Sequence, residues 1–370
     1  MAIIDRVELS LVTLEPEVPR SDAIQSFSSQ ETPIVRVTDR DGATGVGYGY
    51  TIGTGGSSVM RLLADHLAPR LLGEEAEAIE GIWHDLEFAT HATTVGAITA
   101  IALAAVDTAL WDLRCRRAGL PLHLAAGGAR TSVPLYTTEG GWLHLPTEAL
   151  VEDAVRAQGQ GFVGSKVKIG KPDAREDLER LREVRAAVGD GFRLMVDCNQ
   201  AFTLDEALRR ADMLGEVGLT WLEEPLPADD IAGHERLARS TRIPIAVGES
   251  LYSIRHFREY MQRGAASVIQ VDAGRIGGIT PWLKVAHAAE AFNLPVCPHF
   301  LMELHAALVA AVPNGRWVEY IPQLGAITGG TPRVEGGVIT PSDEPGLGIA
   351  WDGPAVERLR DPALAFDLRA

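Results

Sequence analysis

Short apolar runs alternate with amphipathic stretches from residue 133 to about residue 322. The apolar runs have the length and side-chain types of buried strands, whereas the stretches between them have helical periodicity. Eight strands are predicted, at Val133–Thr137, Gly164–Ile169, Arg193–Asp197, Leu219–Glu223, Ile245–Gly248, Ser267–Val271, Leu294–Cys297 and Trp317–Tyr320. Predicted helices between them include Ala174–Val188, Leu204–Val217, Ser253–Gly264, Gly278–Phe292 and Met302–Val312. This alternation predicts an α/β fold built from parallel βαβ units.

Two architectures are built from strands and helices that alternate in this way: a doubly wound sheet and a TIM-type (β/α)8 barrel. Acidic, basic or histidine side chains close most of the predicted strands at comparable positions. An open sheet brings functional groups to a single crevice, whereas every strand of a barrel ends at one shared mouth. The barrel is therefore the preferred interpretation.

The first 125 residues have a different pattern, with strands first and helices after. The strands are Val7–Val12, Ile34–Asp39 and Gly45–Tyr50, and the last two flank a turn at Asp39–Gly42. The helices are Met60–Leu72, Ala76–Glu87 and Thr94–Arg117. We predict an α+β domain over residues 1–125, the barrel over 126–322, and an irregular segment over 323–370 that returns to the first domain.

Composition excludes several classes of partner. The net charge of −16, from 34 Lys and Arg against 50 Asp and Glu, argues against nucleic acid and anionic membranes. No apolar run approaches the ~18 residues of a membrane span, and the first residues lack a signal-peptide pattern. The three cysteines are scattered without zinc-like spacing. We therefore expect a cytoplasmic protein.

Three acidic residues close predicted strands at equal intervals. Asp197, Glu223 and Glu249 are 26 residues apart in each step, which is about the length of one βα unit in a barrel of ~250 residues. Each acid alone has common structural roles at loops and helix N-termini. Converging at one mouth, the three would repel each other without a cation, and oxygen ligands suit Mg²⁺. Glu224 is the weaker ligand candidate because it faces the other way on its strand.

The second predicted strand ends in two basic side chains. Lys166 and Lys168 share one face of the second strand because side chains alternate along a strand. Repulsion and burial are expected to lower the pKa of one of them, which would make it a base. The alternative is a solvated pair on an edge strand.

Strands six, seven and eight also end in candidate groups. Asp272 and His299 end adjacent strands, so the carboxylate is expected to orient the imidazole. A lone histidine after a proline would otherwise be read as a loop residue. Glu319 ends strand eight, and one acid alone is weak evidence.

The chain resembles the mandelate racemase subgroup of the enolase superfamily. The resemblance rests on Lys166-x-Lys168, Asp197-x-Asn199, Glu223-Glu224-Pro225, Gly248-Glu249-Ser250, Asp272, Pro298-His299 and Glu319, in this order. The first domain resembles the capping domain of that family, with Trp111-Asp112 and Leu120-Pro121 at the junction. The resemblance implies an enolase-like modified barrel and a capping domain completed by the C-terminal segment.

The resemblance also implies a chemistry. Mg²⁺ on the three acids would bind a substrate carboxylate and stabilise the enediolate formed when the α-proton leaves. Lys168 would be the base on one face and His299, oriented by Asp272, would act from the other. Glu319, if protonated, would donate a hydrogen bond to the substrate. Lys166 would be a cationic contact to the carboxylate or a modulator of Lys168, so that it counts, like Glu319, as both catalytic and substrate-binding. Asn199 is assigned to substrate binding. The implied partner is a small carboxylate, and the chain is expected to form a homo-oligomer.

Several reactions remain open from these residues. The second group can return a proton to the α-carbon, as in a racemase of a 2-hydroxy acid, or protonate a departing β-hydroxyl, as in a dehydratase. The loops at Ser21–Thr32 and Tyr48–Val59 are polar and small, which favours a polyhydroxy acid. We therefore predict an acid-sugar dehydratase acting on an aldonate or aldarate, with a racemase or a sugar-lactone cycloisomerase as alternatives.

Two further interpretations receive less support. A barrel that binds an acid or a metal without catalysis stays possible in principle, since fold does not determine function. The Gly45-Val46-Gly47 run resembles part of a dinucleotide site, but it lies in a predicted hairpin and does not open a helix.

Overall fold

The N-terminal part of the chain forms a four-stranded antiparallel sheet covered by helices. A computed structural model describes residues 2–329 and 332–370. The sheet order is Phe366–Arg369, Ile4–Leu14, Gln30–Asp39 and Thr44–Tyr48. The last strand of the chain thus pairs with the first, with Leu368 opposite Val7. We call residues 2–118 the N-terminal unit.

The helices of this unit pack on one face of the sheet. They are Gly56–Leu62, a π-helical turn at Leu63–Leu67, Ala68–Leu71, Ile79–Ala89 and Ala97–Ala118. Small hairpin strands, at Arg20–Ser21 and Ser26–Phe27, lie in the first predicted loop. The three predicted helices are confirmed, although the first begins four residues earlier than Met60.

Gly45 and Gly47 let the edge strand approach the long helix. A Cβ on Gly47 would lie 2.1 Å from the backbone nitrogen of Ala109, and one on Gly45 would lie 2.3 Å from its carbonyl oxygen. The helix also binds the strand, because Asp112 Oδ2 accepts a 2.9 Å hydrogen bond from Val46 N. The glycines therefore serve close packing, and the dinucleotide interpretation is wrong.

The second part of the chain is a closed parallel barrel. Its strands are Val133–Thr137, Gly164–Lys168, Arg193–Asp197, Leu222–Glu223, Ile245–Val247, Val268–Ile269 and Val318–Tyr320. The last pairs with the first in parallel, which closes the sheet. The predicted seventh strand is reduced to Val296, which bridges Ile269 on one side and Gly315 on the other. The barrel interpretation is confirmed.

Helices surround this barrel. They are Leu122–Ala125, Thr147–Gly159, Ala174–Val188, Leu204–Leu214, Ile231–Ser240, Ile254–Arg263, Ala273–Ile276, Ile279–Ala291 and Met302–Ala311, with short 3₁₀ turns at Gly215–Val217 and Gly325–Ile327. The helix Gly353–Leu359 and the 3₁₀ turn Pro362–Leu364 instead pack on the strand Ile4–Leu14 of the N-terminal sheet. Several of the barrel helices begin at a side chain that accepts a hydrogen bond from the first turn, as at Asp173, Thr203, Asp230 and Ser253. A hairpin of Val334–Glu335 and Val338–Ile339 pairs with the first barrel strand.

An apolar layer fills the barrel interior below its mouth. Seven buried side chains, one from each of seven positions around the barrel, form a single cluster: Tyr136, Met195, Trp221, Ala246, Val268, Cys297 and Trp317. Since inward-facing positions recur every second residue, the residues two positions later also point inward, at the C-terminal mouth. Asp197, Glu223 and His299 are among them. The alternation of inward-facing and outward-facing side chains therefore places these residues at the C-terminal mouth of the barrel.

The N-terminal unit packs on this mouth through specific contacts. Trp83 Nε1 donates a 2.9 Å hydrogen bond to the carbonyl oxygen of Gly277, and Trp111 Nε1 donates one of 2.9 Å to Thr280 Oγ1. Among the described residues, none of the helices combines the length and apolar character needed to cross a bilayer. The domain boundaries at 125/126 and 322/323 stay predictions.

Candidate active site

Three carboxylates meet at the ends of the third, fourth and fifth barrel strands. Asp197 and Glu223 are the last residues of their strands, and Glu249 follows its strand by two residues. One oxygen from each lies within 4.8 Å of the others, and all three side chains are buried. The equal spacing in the sequence therefore becomes one cluster, as the barrel repeat requires.

This triad fits a hard divalent cation. All its donors are carboxylate oxygens, which Mg²⁺ prefers. Glu249 Oε2 is buried and accepts no hydrogen bond among the described residues, although His299 Nε2 lies 3.2 Å from it, so it remains available to a ligand. Burial and the charge of Asp197 raise the pKa of Glu223 to about 8. Mutual repulsion of this kind is what a bound cation relieves.

Glu224 lies outside the triad, as the sequence indicated. Its backbone has a φ of 36°, and its carboxylate accepts hydrogen bonds of 3.2 Å and 3.1 Å from the backbone and hydroxyl of Ser250. The left-handed backbone turns the chain at the strand end, so neighbouring acids point in different directions. Burial raises the pKa of Glu224 well above its usual range.

Lys166 and Lys168 both point into the mouth, and each pairs with the acids. Lys166 Nζ lies 2.7 Å from Glu223 Oε1, and Lys168 Nζ is hydrogen-bonded to Asp197 Oδ2. Burial lowers the pKa of each lysine, but the surrounding carboxylates outweigh it, so both pKa values are raised. The expectation that repulsion and burial lower the pKa of one lysine is therefore not met, because the carboxylates around both lysines raise it. The prediction from the sequence considered the repulsion between the two lysines, but it did not consider the ion pairs that each lysine forms with the carboxylates.

Glu319 is expected to donate a hydrogen bond only if it is protonated, and its contacts favour the ionised form. Its Oε1 lies 2.8 Å from Lys166 Nζ and accepts a 2.5 Å hydrogen bond from Thr138 Oγ1, while Oε2 accepts one of 2.9 Å from the backbone of Phe300. Burial raises the pKa of Glu319, but Lys166 outweighs this and brings it below its usual range. Glu319 is thus an ionised acceptor that orients Lys166, and it does not donate.

Asp272 and His299 form the predicted pair at adjacent strand ends. His299 Nδ1 donates to Asp272 Oδ2 at 2.8 Å, and His299 Nε2 lies 3.2 Å from Glu249 Oε2. Burial lowers the pKa of His299, but Glu249 and Asp272 outweigh it, so its pKa is raised. Lys168 contacts the triad at Asp197 and His299 contacts it at Glu249. The two groups therefore contact different members of the triad, on the third and the fifth barrel strands.

Tyr50 is a contributor that sequence reasoning missed. This fully buried tyrosine of the N-terminal unit donates a 2.6 Å hydrogen bond to Asp272 Oδ2. Its hydroxyl in turn accepts a 3.0 Å hydrogen bond from Arg275 Nε. Tyr50 lies within the loop predicted to cover the site, but no local pattern links it to a residue 222 positions away.

A cavity of about 320 Å³ opens above the triad, at the lower end of the range of ligand sites. Asn199 lines it, and its Oδ1 is buried without a hydrogen-bond partner among the described residues. Both predicted covering loops reach the cavity, but with more apolar side chains than expected, at Ile24, Phe27 and Ile52. Sequence reasoning also missed the lining residues Thr138, Trp142, Tyr252 and Arg275.

Two family models match the chain. The model described as mandelate racemase / muconate lactonizing enzyme, N-terminal domain, matches residues 6–126. The model described as enolase C-terminal domain-like matches residues 147–356. The matched regions correspond to the N-terminal unit and to most of the barrel, so both parts of the fold are recognised independently.

Similar proteins cover nearly the whole chain. It is 37% identical over 353 residues to the L-talarate/galactarate dehydratase of Salmonella typhimurium, covering 94% of this chain and 88% of the relative. It is 36% identical over 360 residues to the 3,6-anhydro-alpha-L-galactonate cycloisomerase of Streptomyces coelicolor, covering 96% and 99%. The Salmonella dehydratase structure with Mg and L-lyxarohydroxamate has a TM-score of 0.93 at 36% identity, covering 99% of this chain and 94% of that one.

The agreement extends from the site to the whole chain. The order of functional groups at the barrel mouth, the two matched family models and the overall superposition all give the same assignment. The chain therefore belongs to the mandelate racemase/muconate lactonizing enzyme family of the enolase superfamily.

Proposed function

We propose that this protein catalyses the Mg²⁺-dependent dehydration of an acid sugar, an aldonate or an aldarate, to a 3-deoxy-2-keto acid. The observation that carries the proposal is that Lys168 pairs with Asp197 and His299 with Glu249, two different members of the carboxylate triad. Two proton-transfer groups on either side of one bound carboxylate match the two proton movements of an elimination. Similarity to the Salmonella typhimurium dehydratase supports this assignment.

Asp197, Glu223 and Glu249 would hold the metal ion. When bound, Mg²⁺ would offset the negative charge of the triad and polarise the substrate carboxylate, which acidifies the α-carbon. Glu249 Oε2 and Asn199 Oδ1 are buried and accept no hydrogen bond among the described residues, which fits a bound ion and a substrate hydroxyl respectively. We choose Mg²⁺ because all three protein ligands are oxygen donors and because the triad is negatively charged.

Different side chains around the triad carry out the two proton transfers. Lys168 Nζ takes the α-proton in its neutral form, which a cation held by the triad would favour by offsetting the carboxylates that raise the pKa of Lys168. Lys166, held by Glu319, contacts the substrate carboxylate. His299 gives a proton from Nε2 to the departing β-hydroxyl, while Asp272 holds the imidazole by Nδ1. One water leaves, and the resulting enol tautomerises to the 2-keto acid. The buried cavity limits access of bulk water to these groups.

Cycloisomerisation is a second candidate, favoured by the relative from Streptomyces coelicolor. The same two groups serve it, because proton abstraction at the α-carbon is shared and only the fate of the β-substituent differs. The product then keeps the mass of the substrate, whereas dehydration removes one water. Racemisation also keeps the mass and places deuterium at the α-carbon when the reaction is run in D₂O.

Proton NMR in D₂O with Mg²⁺ and a panel of aldonates, aldarates and 2-hydroxy acids tests the proposal. We expect a 3-deoxy-2-keto product from an acid sugar. Lys168→Ala and His299→Asn should each lower the rate by at least about 10²-fold. Lys284→Ala and His287→Asn are matched controls, because both side chains are exposed on a barrel helix, and they should retain the rate.

Three outcomes would reject dehydration. Deuterium at the α-carbon of unchanged substrate would indicate racemisation, and an isomer of equal mass would indicate cycloisomerisation. Absence of both exchange and product across the panel would leave a binding protein. Full activity of the Lys168 and His299 variants would remove these residues from the mechanism even if dehydration occurs.

Three broader features are also proposals. We propose that the chain acts as a homo-oligomer in the cytoplasm and divides at residues 125/126 and 322/323. Barrels of this kind commonly form symmetric assemblies. Analytical ultracentrifugation tests the assembly, and limited proteolysis followed by mass spectrometry tests the boundaries.

A further inference from the structure

A chain of hydrogen bonds connects the loops that follow the third, fourth and fifth barrel strands. Gln200 Nε2 donates to Ser250 Oγ at 2.8 Å, and Gln200 Oε1 accepts from the backbone N–H of Ala228 at 2.7 Å. Ser250 donates in turn from its backbone and its hydroxyl to the two side-chain oxygens of Glu224, at 3.2 Å and 3.1 Å. We call Gln200, Glu224 and Ser250 the ligand-linking network.

Each member of the ligand-linking network follows a different acid of the triad by only one to three positions. The pairs of triad acid and network member are Asp197 with Gln200, Glu223 with Glu224, and Glu249 with Ser250. Few rotatable backbone bonds separate the members of each pair, because the peptide units between them are planar. Hydrogen bonds within the network therefore restrain the distances among the three carboxylates.

The loop after the third strand carries this restraint to Asp197 directly. The backbone N–H of Asn199 donates to Asp197 Oδ1 at 2.9 Å. The next backbone N–H, that of Gln200, donates to the carbonyl oxygen of Glu224 at 2.7 Å. Gln200 is thus bound to the neighbouring loop through both its backbone and its side chain. Its position determines where Asn199 meets the carboxylate of Asp197.

The same loops contain backbone conformations that side chains rarely adopt. The φ angles are 44° at Asn199, 64° at Gln200 and 36° at Glu224. Residues other than glycine hold such angles only where surrounding contacts compensate for the strain, and strained residues of this kind cluster at ligand sites. Two of these three residues belong to the ligand-linking network, so its hydrogen bonds supply contacts that hold the strained loops.

We propose that Gln200 and Ser250 are positioning residues that hold the triad in the arrangement that Mg²⁺ binds. This inference rests on the metal site of the proposed function and adds residues that set its affinity and selectivity. Three buried carboxylates repel each other, so they separate unless the protein restrains them. Hydrogen bonds to the surroundings of metal ligands commonly change metal affinity by about 10-fold to 100-fold. Gln200 suits this role because an amide supplies both an acceptor and a donor.

Calorimetric titration of the substrate-free protein with MgCl₂ tests the proposal. Gln200→Met removes both side-chain hydrogen bonds at nearly constant volume, and Ser250→Ala removes the shared hydroxyl. Each variant should raise the Kd for Mg²⁺ by at least about tenfold. Gln160→Met and Ser240→Ala are the matched controls, because both side chains are exposed and lie outside the network, and they should leave the Kd unchanged.

A second titration with CaCl₂ separates positioning from a loss of folded protein. Mg²⁺ requires nearly ideal octahedral geometry, whereas Ca²⁺ accepts irregular and larger sites. A loosened triad should therefore weaken Mg²⁺ binding more than Ca²⁺ binding. The ratio of the Kd for Ca²⁺ to the Kd for Mg²⁺ should fall by at least about threefold in both network variants. Partial unfolding would instead weaken the binding of both ions by the same factor.

The outcomes that overturn the inference differ from those that overturn the proposed function. Wild-type Mg²⁺ affinity in both network variants, or an equal loss of affinity for the two ions, would show that the network does not position the triad. Lost turnover with unchanged Mg²⁺ binding would make Gln200, which lines the cavity, a substrate contact instead. Wild-type protein that binds no Mg²⁺ would remove the metal site itself. Ser250→Ala deletes a single oxygen, so it tests the network even if Gln200→Met does not fold.

Discussion

Asp107 carries a buried carboxylate at the contact between the N-terminal unit and the barrel. It is 1% exposed, and its Oδ2 accepts a 2.9 Å hydrogen bond from the backbone N–H of Thr280, at the start of a barrel helix. Its Oδ1 has no hydrogen-bond partner among the described residues. Burial therefore raises the pKa of Asp107 from 3.8 to about 7.

This shift makes the free energy of unfolding depend on pH. Below about pH 4 the group is protonated in both states. Between about pH 4 and about pH 7 the folded protein keeps a proton that the unfolded chain releases, so stability falls as the pH rises. Above that window Asp107 is ionised in both the folded and the unfolded state, and the full free-energy cost of burying its charge is present. A rise in the pKa of Asp107 from 3.8 to about 7 corresponds to roughly 4 kcal/mol.

Asp107→Asn tests this reasoning, because an amide oxygen can accept the same hydrogen bond without a charge. The free energy of unfolding of the variant minus that of wild type should increase by up to about 1.4 kcal/mol per pH unit within the window. Denaturant unfolding followed by tryptophan fluorescence from about pH 4 to about pH 8 measures it. Other groups titrate in both proteins and cancel. A difference that does not change with pH would refute the raised pKa.

Glu249→Gln should weaken Mg²⁺ binding by more than about tenfold in calorimetric titration, because it removes one charged ligand. Exposed Glu290→Gln is its control, and equal affinities of wild type and Glu249→Gln would remove Glu249 from the site. Gly47→Ala should destabilise the fold by at least about 2 kcal/mol in denaturant unfolding, since its Cβ would lie 2.1 Å from a helix backbone nitrogen. Gly42→Ala meets open space and carries only the strain of a φ of 84°, so it should cost about 1 kcal/mol. A Gly47→Ala protein as stable as wild type would contradict the close packing.

The site is completed by residues that are distant along the chain. The network from Arg275 through Tyr50 and Asp272 to His299 joins the covering loop to the proton-transfer group. The packing of the N-terminal unit on the barrel is therefore linked to the orientation of the imidazole. Loss of the Tyr50 hydroxyl is expected to lower turnover of every substrate, because the hydroxyl binds the carboxylate that orients His299.

Local pattern alone determined most of the barrel. The strands at Val133–Thr137 and Arg193–Asp197 have the predicted bounds because apolar runs bounded by turns are short-range signals. The repeat of 26 residues brought Asp197, Glu223 and Glu249 together because each βα unit advances the chain by one barrel strand. Alternation of side chains along a strand then directed Asp197 and Glu223 inward, whereas Glu249 lies two residues beyond the end of its strand.

Tertiary structure decided what depends on neighbours from other elements. Glu319 is ionised because Lys166 lies 2.8 Å away, and the lysines keep their protons because acids surround them. Tyr50 and Arg275 joined the site through contacts across more than 200 residues, which no periodicity encodes. The sequence by itself thus determined which groups face the barrel mouth. Their charge states and partners followed only from packing, because electrostatic energies depend on distances and burial that the chain attains when folded.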